Sequence, residues 1–318
     1  MKKIAIAVHG GAGSDSDFIK EHEEDYKNAL AEAVNLGYEM LEKGENAVDV
    51  VEKVVCFFED HELFNAGKGS AITNLGKVEM CASIMDGKDL ASGAAATVYN
   101  VKNPVKLARE IMDHTEHVYL SDYGALAFAK EAGIELKDDF YFHTEHQIKT
   151  WKDAREKEIE EGGPEIKEGT PVDHKKKKHS HSGTVGCVAL DQHGNLAAAT
   201  STGGTENCKE GRIGDSSMIG VGTYANNNTC AVSCTGDGEY AIRGVLAHDV
   251  AAVMEYKGLS VNEAIKFVLF EKNKHVDGDL GIIAVSKDGD VALEYNCDRM
   301  HRGSRSTDKP LKVAVYKD

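Results

Sequence analysis

The sequence predicts a layered α/β sandwich, in which helices cover sheets and do not alternate strictly with strands. Helical patterns dominate the first half of the 318 residues, whereas short apolar runs rich in β-branched residues dominate the second half. Each half also contains elements of the other kind, which argues against the regular βαβ order of a doubly wound fold. With 41% hydrophobic and 28% charged residues, the chain can bury a sizeable core.

The first half is predicted to begin with a strand and to continue mostly as helices. The apolar run at residues 4–8 stops at His9-Gly10-Gly11, so it is too short for a signal peptide and indicates a core strand. Residues 9–14 are interpreted as a tight turn, because they lack the glycine spacing of a dinucleotide-binding loop. The other predicted elements are helices near 26–44, 46–58, 104–114, 121–132 and 146–160, and strands at 78–85 and 91–99.

A change of composition divides the chain just before residue 183. From residue 162 to residue 182 hydrophobic residues nearly vanish while Lys, Glu, Gly and His dominate, so this stretch is predicted to be a disordered linker. A buried strand is predicted immediately after it, beginning at Val185. The elements predicted in the second half are strands at 185–190, 196–201, 218–224, 229–234, 281–285, 291–295 and 312–316, and helices near 239–256 and 260–270.

Charge and cysteine usage exclude several classes of protein. The net charge of −16 repels phosphate backbones, so we expect no nucleic-acid partner, and the lysines at 175–178 are interpreted as a solvated part of the linker. His174, His179 and His181 are interpreted in the same way and not as metal ligands. No apolar stretch is long enough to span a membrane. Seven scattered cysteines form neither a zinc spacing nor a disulfide framework, which favours the reducing cytoplasm.

The junction Gly183-Thr184 has two interpretations. If the chain were cut between these residues, Thr184 would carry a free α-amine beside its own hydroxyl. A hydroxyl needs an adjacent base to act as a nucleophile, and an N-terminal threonine supplies that base itself. The alternative is a threonine at the edge of a strand, chosen for its β propensity. These four residues alone leave both interpretations open.

Three loops of the second half carry further candidate groups. Residues 200–204 end the predicted strand that pairs with the one following Thr184, so their hydroxyls could lie beside it. Arg212 and Asp215 could clamp the α-carboxylate and α-amine of an amino acid, or they could form an internal ion pair. Residues 235–239 join a strand to a helix, and their backbone N–H groups could stabilise an oxyanion or only cap the helix.

Taken together and in this order, the motifs resemble those of the plant-type asparaginase/isoaspartyl peptidase family of N-terminal-nucleophile hydrolases. The resemblance covers nearly the whole chain, in six segments at 9–13, 64–70, 182–186, 200–204, 211–216 and 235–239. It implies that Thr184 is the nucleophile released by autoproteolysis after Gly183 and that Thr202 is its hydrogen-bond partner. Arg212 and Asp215 would form the substrate clamp, and Gly238 and Asn65 would also bind substrate. Thr235 and Gly236 would form the oxyanion hole, Gly238 lies in the same turn, and Asn65, near the nucleophile, would also aid precursor cleavage.

The same resemblance implies an α+β fold, a four-layer αββα sandwich, assembled as a dimer of cleaved αβ units. The two subunits would be residues 1–183 and 184–318, forming one structural domain. No cofactor is implied for catalysis. A structural alkali cation, usually sodium, would be held by backbone carbonyls of the segment that contains Phe58, Glu59, Asp60, His61, Leu63, Phe64 and Lys68.

The implied activity is hydrolysis of the side-chain amide of L-asparagine and of β-aspartyl dipeptides, with release of aspartate. Two alternatives remain. A glycosylasparaginase shares several motifs but would normally carry a secretory signal and the sequence His-Asp-Thr-Ile-Gly at its nucleophile, and this chain has neither. An uncleaved pseudoenzyme that only binds amino acids would keep the clamp. Four residues depart from the family's pattern without removing a catalytic group, namely Cys187, Cys208, Ser217 and Asp237.

Overall fold

The computed structural model describes residues 2–160, 183–275 and 278–317. The linker predicted at 162–182 therefore lies outside the described residues. The elements are β1 (Ala5–Gly13), α1 (Asp17–Glu21), α2 (Glu23–Glu42), α3 (Ala47–Glu59), β2 (Met80–Asp86), β3 (Ser92–Val98), α4 (Pro104–His114), β4 (Tyr119–Ser121), α5 (Asp122–Glu131), α6 (Glu145–Glu160), β5 (Val185–Leu190), β6 (Leu196–Thr202), β7 (Thr223–Ala225), β8 (Cys230–Gly236), α7 (Gly238–Gly244), α8 (Leu246–Lys257), α9 (Val261–Lys266), β9 (Leu280–Ser286), β10 (Val291–Tyr295), β11 (Arg299–Ser306) and β12 (Lys309–Ala314).

The strands form two sheets, and the larger one mixes strands from both sides of residue 183. Its order is β12-β11-β1-β5-β6-β2-β3-β4, antiparallel throughout except for the β3–β4 pair. Strand β1, from the start of the chain, lies between β5 and β11 from its second half. Every residue of β1 is buried, as expected for a strand covered on both faces.

The smaller sheet, in the order β10-β9-β8-β7, packs face to face against the centre of the larger one. The side chains between the sheets are mainly small and apolar, and include Ala7, Val188, Ala198, Ala231 and Ile283. Alanine-rich faces allow the two sheets to approach closely. Outside this double layer, α2, α3 and α4 pack against the larger sheet, while α8 and α9 pack against the smaller one. The predicted mixture of helices covering sheets is confirmed.

Helix packing follows the apolar faces that the sequence displays. In α2 and α3 the residues Leu30, Leu41, Val54 and Phe58 are completely buried against the larger sheet. Full burial of a side chain of this size is worth about 1.5–3 kcal/mol before conformational entropy is subtracted. These helices therefore stabilise the larger sheet, in which strand β5 directly follows Gly183 and Thr184. No helix within the described ranges combines the length and hydropathy that a bilayer crossing would need.

The predicted tight turn at residues 9–14 is wrong, because β1 continues to Gly13. The pairing of β1 with β11 shifts register between His9 and Gly11, which is the signature of a β-bulge. Gly11 has a φ of +117°, a conformation that glycine adopts without steric cost. The glycines therefore bend β1 and change its direction at the position where a turn was predicted.

Other differences have local causes. Strand β11 was missed because its sequence has an arginine at every third position and lacks the apolar alternation of a strand, and its pairing with β1 joins positions almost 300 residues apart. The helix predicted at 239–256 is broken at Val245, which is left-handed with a φ of +51°. The strand predicted at 218–224 is reduced to β7, because the N–H groups of Val221 and Gly222 bond to the carbonyl of Met218 and close a turn before it.

Candidate active site

Thr184 lies just before β5, buried, at one end of the central strands of the larger sheet. The β5–β6 hairpin pairs Val185 with Ser201, which brings Thr202 beside Thr184. The hydroxyl of Thr184 donates to Oγ1 of Thr202 over 3.4 Å. The hairpin register thus places the two threonines together, as the resemblance implies.

The carbonyl group of Gly183 is surrounded by hydrogen-bond donors. Its oxygen accepts a hydrogen bond from Nδ2 of Asn65 at 2.9 Å and another from Oγ1 of Thr202 at 3.0 Å. The Asn65 amide is held in this orientation, because its Oδ1 accepts from the Ala71 backbone at 2.7 Å and its Nδ2 also donates to the Gly204 carbonyl at 2.7 Å. Two fixed donors on one carbonyl oxygen are the arrangement that stabilises negative charge on that oxygen.

Glycines leave room for this junction. A Cβ on Gly11 would lie 3.1 Å from Cα of Gly183 and 3.5 Å from the Thr184 nitrogen. A Cβ on Gly203 would lie 2.6 Å from Oδ1 of Asn65 and closer still to Ser70. The glycines of the first and fourth motifs therefore let the backbone and Asn65 pack directly around Gly183-Thr184.

The end of β8 lies beside β1 at the same end of the molecule. Thr235 is buried, and its Oγ1 accepts the N–H of Ala12, the neighbour of Gly11, at 3.1 Å. Gly236 has a φ of +117°, and a Cβ there would lie 2.0 Å from the carbonyl oxygen of Asp279. Only glycine fits at this position. The structure therefore links Thr235 through β1 to the Gly183-Thr184 junction.

Arg212 makes its ion pair with Glu239 and not with Asp215. Its Nε and Nη2 donate to the two carboxylate oxygens of Glu239 at 2.9 and 2.8 Å. This bidentate geometry uses two of the five guanidinium N–H donors and leaves those of Nη1 for another acceptor. The sequence left open an internal ion pair between Arg212 and Asp215. In the structure the hydrogen bonds of the Arg212 guanidinium go to Glu239 instead.

Asp215 is a buried carboxyl group with unused hydrogen-bonding capacity. Its Oδ2 has no hydrogen-bond partner among the described residues. Burial raises the pKa of Asp215 to about 7, and the nearby Arg212 works in the opposite direction. Gly238 lies against this carboxyl group, since a Cβ there would be 3.0 Å from Asp215 Oδ1. A cationic ligand at this point would complete the site.

Two acidic residues that support the clamp were missed by the sequence analysis. Glu239 gave no signal, because it lies far from Arg212 in the sequence and meets it only through the fold. Glu79 gave no signal, because it comes next to Arg212 only in the fold. Its Oε2 accepts the N–H of Gly211 at 2.8 Å, and its Oε1 accepts the Tyr99 hydroxyl at 2.9 Å. Glu79 thereby holds the loop that carries Arg212.

The segment from Phe58 to Gly69 offers oxygen atoms for a cation. The carbonyl oxygens of Glu62 and Phe64 would lie 2.6 and 2.7 Å from a Cβ on Gly69, so both point into the space which that glycine leaves open. Neutral backbone oxygens suit a hard cation. Among the described residues no cluster of three or more His, Cys, Asp or Glu side chains could hold a metal. The segment thus fits an alkali cation held by carbonyls better than a transition metal.

A cavity of about 1380 Å³ opens beside Gly183 and Asn65, between α2 and α6. Of the described residues that line it, none belongs to the clamp or to the Thr235-Gly236 turn. The cavity therefore borders Gly183 and Asn65 without including the candidate clamp.

Comparison with known proteins gives full-length matches. The family described as "Asparaginase" matches residues 2–315. An isoaspartyl peptidase of Escherichia coli (strain K12) is 44% identical over 321 residues, covering 100% of this chain and 98% of the relative. A probable isoaspartyl peptidase/L-asparaginase 2 of Arabidopsis thaliana is 43% identical over 328 residues, with 98% of each chain covered. A human isoaspartyl peptidase/L-asparaginase is 41% identical over 300 residues, covering 94% of this chain and 92% of the relative.

Proposed function

The chain belongs to the asparaginase family and is a hydrolase, and from that premise we propose that it hydrolyses L-asparagine and β-aspartyl dipeptides after cutting itself between Gly183 and Thr184. One observation carries this proposal. A buried threonine hydroxyl lies next to a glycine carbonyl whose oxygen already accepts two hydrogen bonds, from Asn65 and Thr202.

This geometry supports self-cleavage by the following steps. Oγ1 of Thr184 attacks the carbonyl carbon of Gly183, and the negative charge that develops on the oxygen is stabilised by Asn65 and Thr202. The C–N bond breaks, the hydroxyl proton passes to the departing amine of Thr184, and an ester joins the two residues. Water then hydrolyses the ester, which leaves a carboxylate on Gly183 and restores the hydroxyl of Thr184.

Substrate hydrolysis uses the groups that cleavage releases. The free α-amine of Thr184 accepts the proton of its own hydroxyl, which attacks the side-chain carbonyl of the substrate. Thr235 accepts a hydrogen bond from Ala12, so its own proton can be directed at the oxyanion, together with the N–H of Gly236. Each such donor is typically worth about 3 kcal/mol in the transition state. The protonated amine returns its proton to the departing nitrogen, so ammonia or an amino acid leaves, and water then hydrolyses the acyl-enzyme, which releases aspartate and restores the hydroxyl of Thr184.

The clamp selects an α-amino acid. The substrate carboxylate binds the Nη1 side of Arg212, which the pair with Glu239 leaves available. The substrate ammonium binds Asp215, whose Oδ2 is buried and otherwise lacks a partner among the described residues. Because both contacts are made with the aspartyl part, the leaving group is not restricted to ammonia.

We extend the proposal to the assembly. Fragments 1–183 and 184–318 stay together in a four-layer αββα sandwich, and two such αβ units form a dimer. The interleaved strands of the larger sheet support the first part. A sodium ion in the carbonyl-rich segment holds the loop before Asn65. A cytoplasmic location is supported by the seven cysteines, all within the described residues and all free thiols.

The test combines a denaturing gel with turnover. Wild-type protein incubated after purification should convert from one band near 34.4 kDa into two, and should release aspartate from both L-asparagine and β-Asp-Leu. Thr184→Ala should remain one band and release none, whereas Thr184→Ser should retain both reactions at reduced rates.

Other outcomes would point to the alternatives. Aspartate release by Thr184→Ala would overturn the proposal. A wild-type protein that stays uncleaved but binds aspartate would be the pseudoenzyme. Activity restricted to glycosylated asparagine would identify the glycosylasparaginase.

A further inference from the structure

His9 lies completely buried between the two sheets, and both of its ring nitrogens are engaged. Nδ1 lies 2.8 Å from the carbonyl oxygen of Thr184, and Nε2 lies 2.8 Å from Oγ of Ser233. A carbonyl oxygen can only accept, so Nδ1 carries the proton and Nε2 accepts the hydroxyl of Ser233. Burial lowers the pKa of His9 to about 3, against the raising effect of the Thr184 carbonyl, so the ring is neutral at physiological pH.

Gly186 provides the space in which His9 and Ser233 meet. It pairs with His9 across β1 and β5. A Cβ on Gly186 would lie 2.1 Å from Oγ of Ser233 and 2.4 Å from Nε2 of His9. Real side chains do not tolerate such distances, so any larger residue would push the two groups apart. The contact between His9 and Ser233 therefore explains why position 186, two residues after Thr184, is occupied by glycine.

A chain of buried hydroxyl groups continues from Ser233 into the molecule. Ser233 is 2.7 Å from Thr200, Thr223 donates to Thr200 at 2.5 Å, and Ser83 lies 2.7 Å from Thr223. Ser83 also lies 2.6 Å from the carbonyl oxygen of Ser216, which follows Asp215. All four hydroxyl side chains are completely buried. The chain therefore runs from the carbonyl of Thr184 to the backbone carbonyl of Ser216.

The hydroxyl chain has fewer protons than contacts. Thr200 also lies 3.2 Å from the carbonyl oxygen of Gly222, so seven contacts join three carbonyls, one neutral imidazole and four hydroxyls, and these groups supply five protons. When Nδ1 of His9 donates to Thr184, Ser233 donates to His9, and the two contacts without a proton fall further along the chain, among Thr200, Thr223 and Ser83. The hydrogen bond from His9 to Thr184 is compatible with this count.

We propose that His9 is a positioning residue for Thr184, with Ser233 fixing its tautomer. The inference rests on the proposed function of Thr184. After cleavage, Thr184 becomes a chain end, and chain ends lose order unless their backbone is held. The N–H of His9 holds the Thr184 carbonyl, which keeps its amine and hydroxyl directed at the substrate. Among the described residues neither Arg212 nor Asp215 has a hydrogen bond to His9 or Thr184, so we expect loss of the His9 contact to lower kcat and to leave KM nearly unchanged.

The test compares His9→Ala with His9→Asn in the fully cleaved fraction of each protein. The side-chain amide of asparagine can present an N–H close to the position of Nδ1. We expect His9→Ala to lower kcat about 100-fold, the usual effect of a nucleophile displaced by about 1 Å, with KM within about twofold. His9→Asn should recover most of the rate, at the same melting temperature as His9→Ala.

Ser233→Ala gives an independent measurement if His9→Ala does not fold. It removes one neutral hydrogen bond and should lower kcat by about tenfold or less. In a background of His9→Ala it should cost nothing further. Equal losses for His9→Ala and His9→Asn, or a rise of KM at constant kcat, would overturn the inference. Persisting activity of Thr184→Ala would instead overturn the proposed function, which separates the two.

Discussion

Asp215 is the residue at which the proposed ligand binding and folding stability oppose each other. Burial raises the pKa of its carboxyl from the ordinary 3.8 to about 7, while Arg212 acts to lower it. Between about pH 4 and pH 7 the folded protein therefore holds a proton that the unfolded chain has already released. The contribution of Asp215 to stability falls as the pH rises through this window and stays low above it.

Replacing Asp215 by asparagine should therefore stabilise the protein at high pH and weaken substrate binding. The free energy of unfolding of Asp215→Asn, relative to wild type, should be greater at pH 8 than at pH 5 by roughly 2–4 kcal/mol. KM for L-asparagine should rise about 10- to 100-fold, because a charge-assisted hydrogen bond to the ammonium is lost. Urea denaturation at the two pH values and steady-state kinetics measure the two effects.

The matched control is Asp288→Asn, the same chemical change at an exposed carboxyl group. It should alter neither KM nor the pH dependence of stability. If Asp215→Asn left KM unchanged, Asp215 would not belong to the clamp. A stability difference that did not vary with pH would contradict the raised pKa.

At the scale of elements, pairings between strands adjacent in sequence could be predicted, whereas pairings between strands far apart in sequence could not. The β5–β6 hairpin could be predicted because its strands are adjacent in sequence, and its register alone brings Thr202 to Thr184. The extension of β1 to residue 13 could not be predicted, since the glycines at 10, 11 and 13 also suit a turn. Only the pairing with β11 decides between a strand and a turn. The role of Glu239 was hidden for the same reason, because its contact with Arg212 depends on how separate loops fold together.

Gly203, directly after β6, offers a test of how that element supports self-cleavage. A Cβ at this position would lie 2.6 Å from Oδ1 of Asn65 and 2.3 Å from Cβ of Ser70. Gly203→Ala should displace the Asn65 amide from the Gly183 carbonyl. We expect cleavage to slow by about 100-fold, the usual effect of losing one oxyanion donor, measured as band conversion over time.

Gly124→Ala is the matched control, because a Cβ at that helical position meets nothing within 4 Å. It should cleave at the wild-type rate and be slightly more stable, since alanine favours a helix by up to about 1 kcal/mol over glycine. Cleavage of Gly203→Ala at the wild-type rate would show that the position of Asn65 does not limit the reaction.

For the whole molecule, the decisive feature is the order of strands in the larger sheet. Strand β1 is hydrogen-bonded to β5 and β11, and β2 is hydrogen-bonded to β6, so each pairing joins opposite sides of the proposed cut. Residues from both sides also share the core that α2 and α3 cover, including Val54 and Val185. Breaking one peptide bond at Gly183 removes none of these ladders.

The two fragments should consequently behave as one folded unit after cleavage. Fully cleaved protein should elute from a size-exclusion column as one species containing both fragments, at the volume of uncleaved Thr184→Ala. The fragments should separate only in denaturant, because separation exposes the apolar surface between β1 and its neighbours and breaks three backbone ladders. Elution of separate fragments in native buffer would contradict this expectation. Since β1 lies between two strands of the other fragment, neither fragment alone can complete the sheet whose strand β5 follows Thr184.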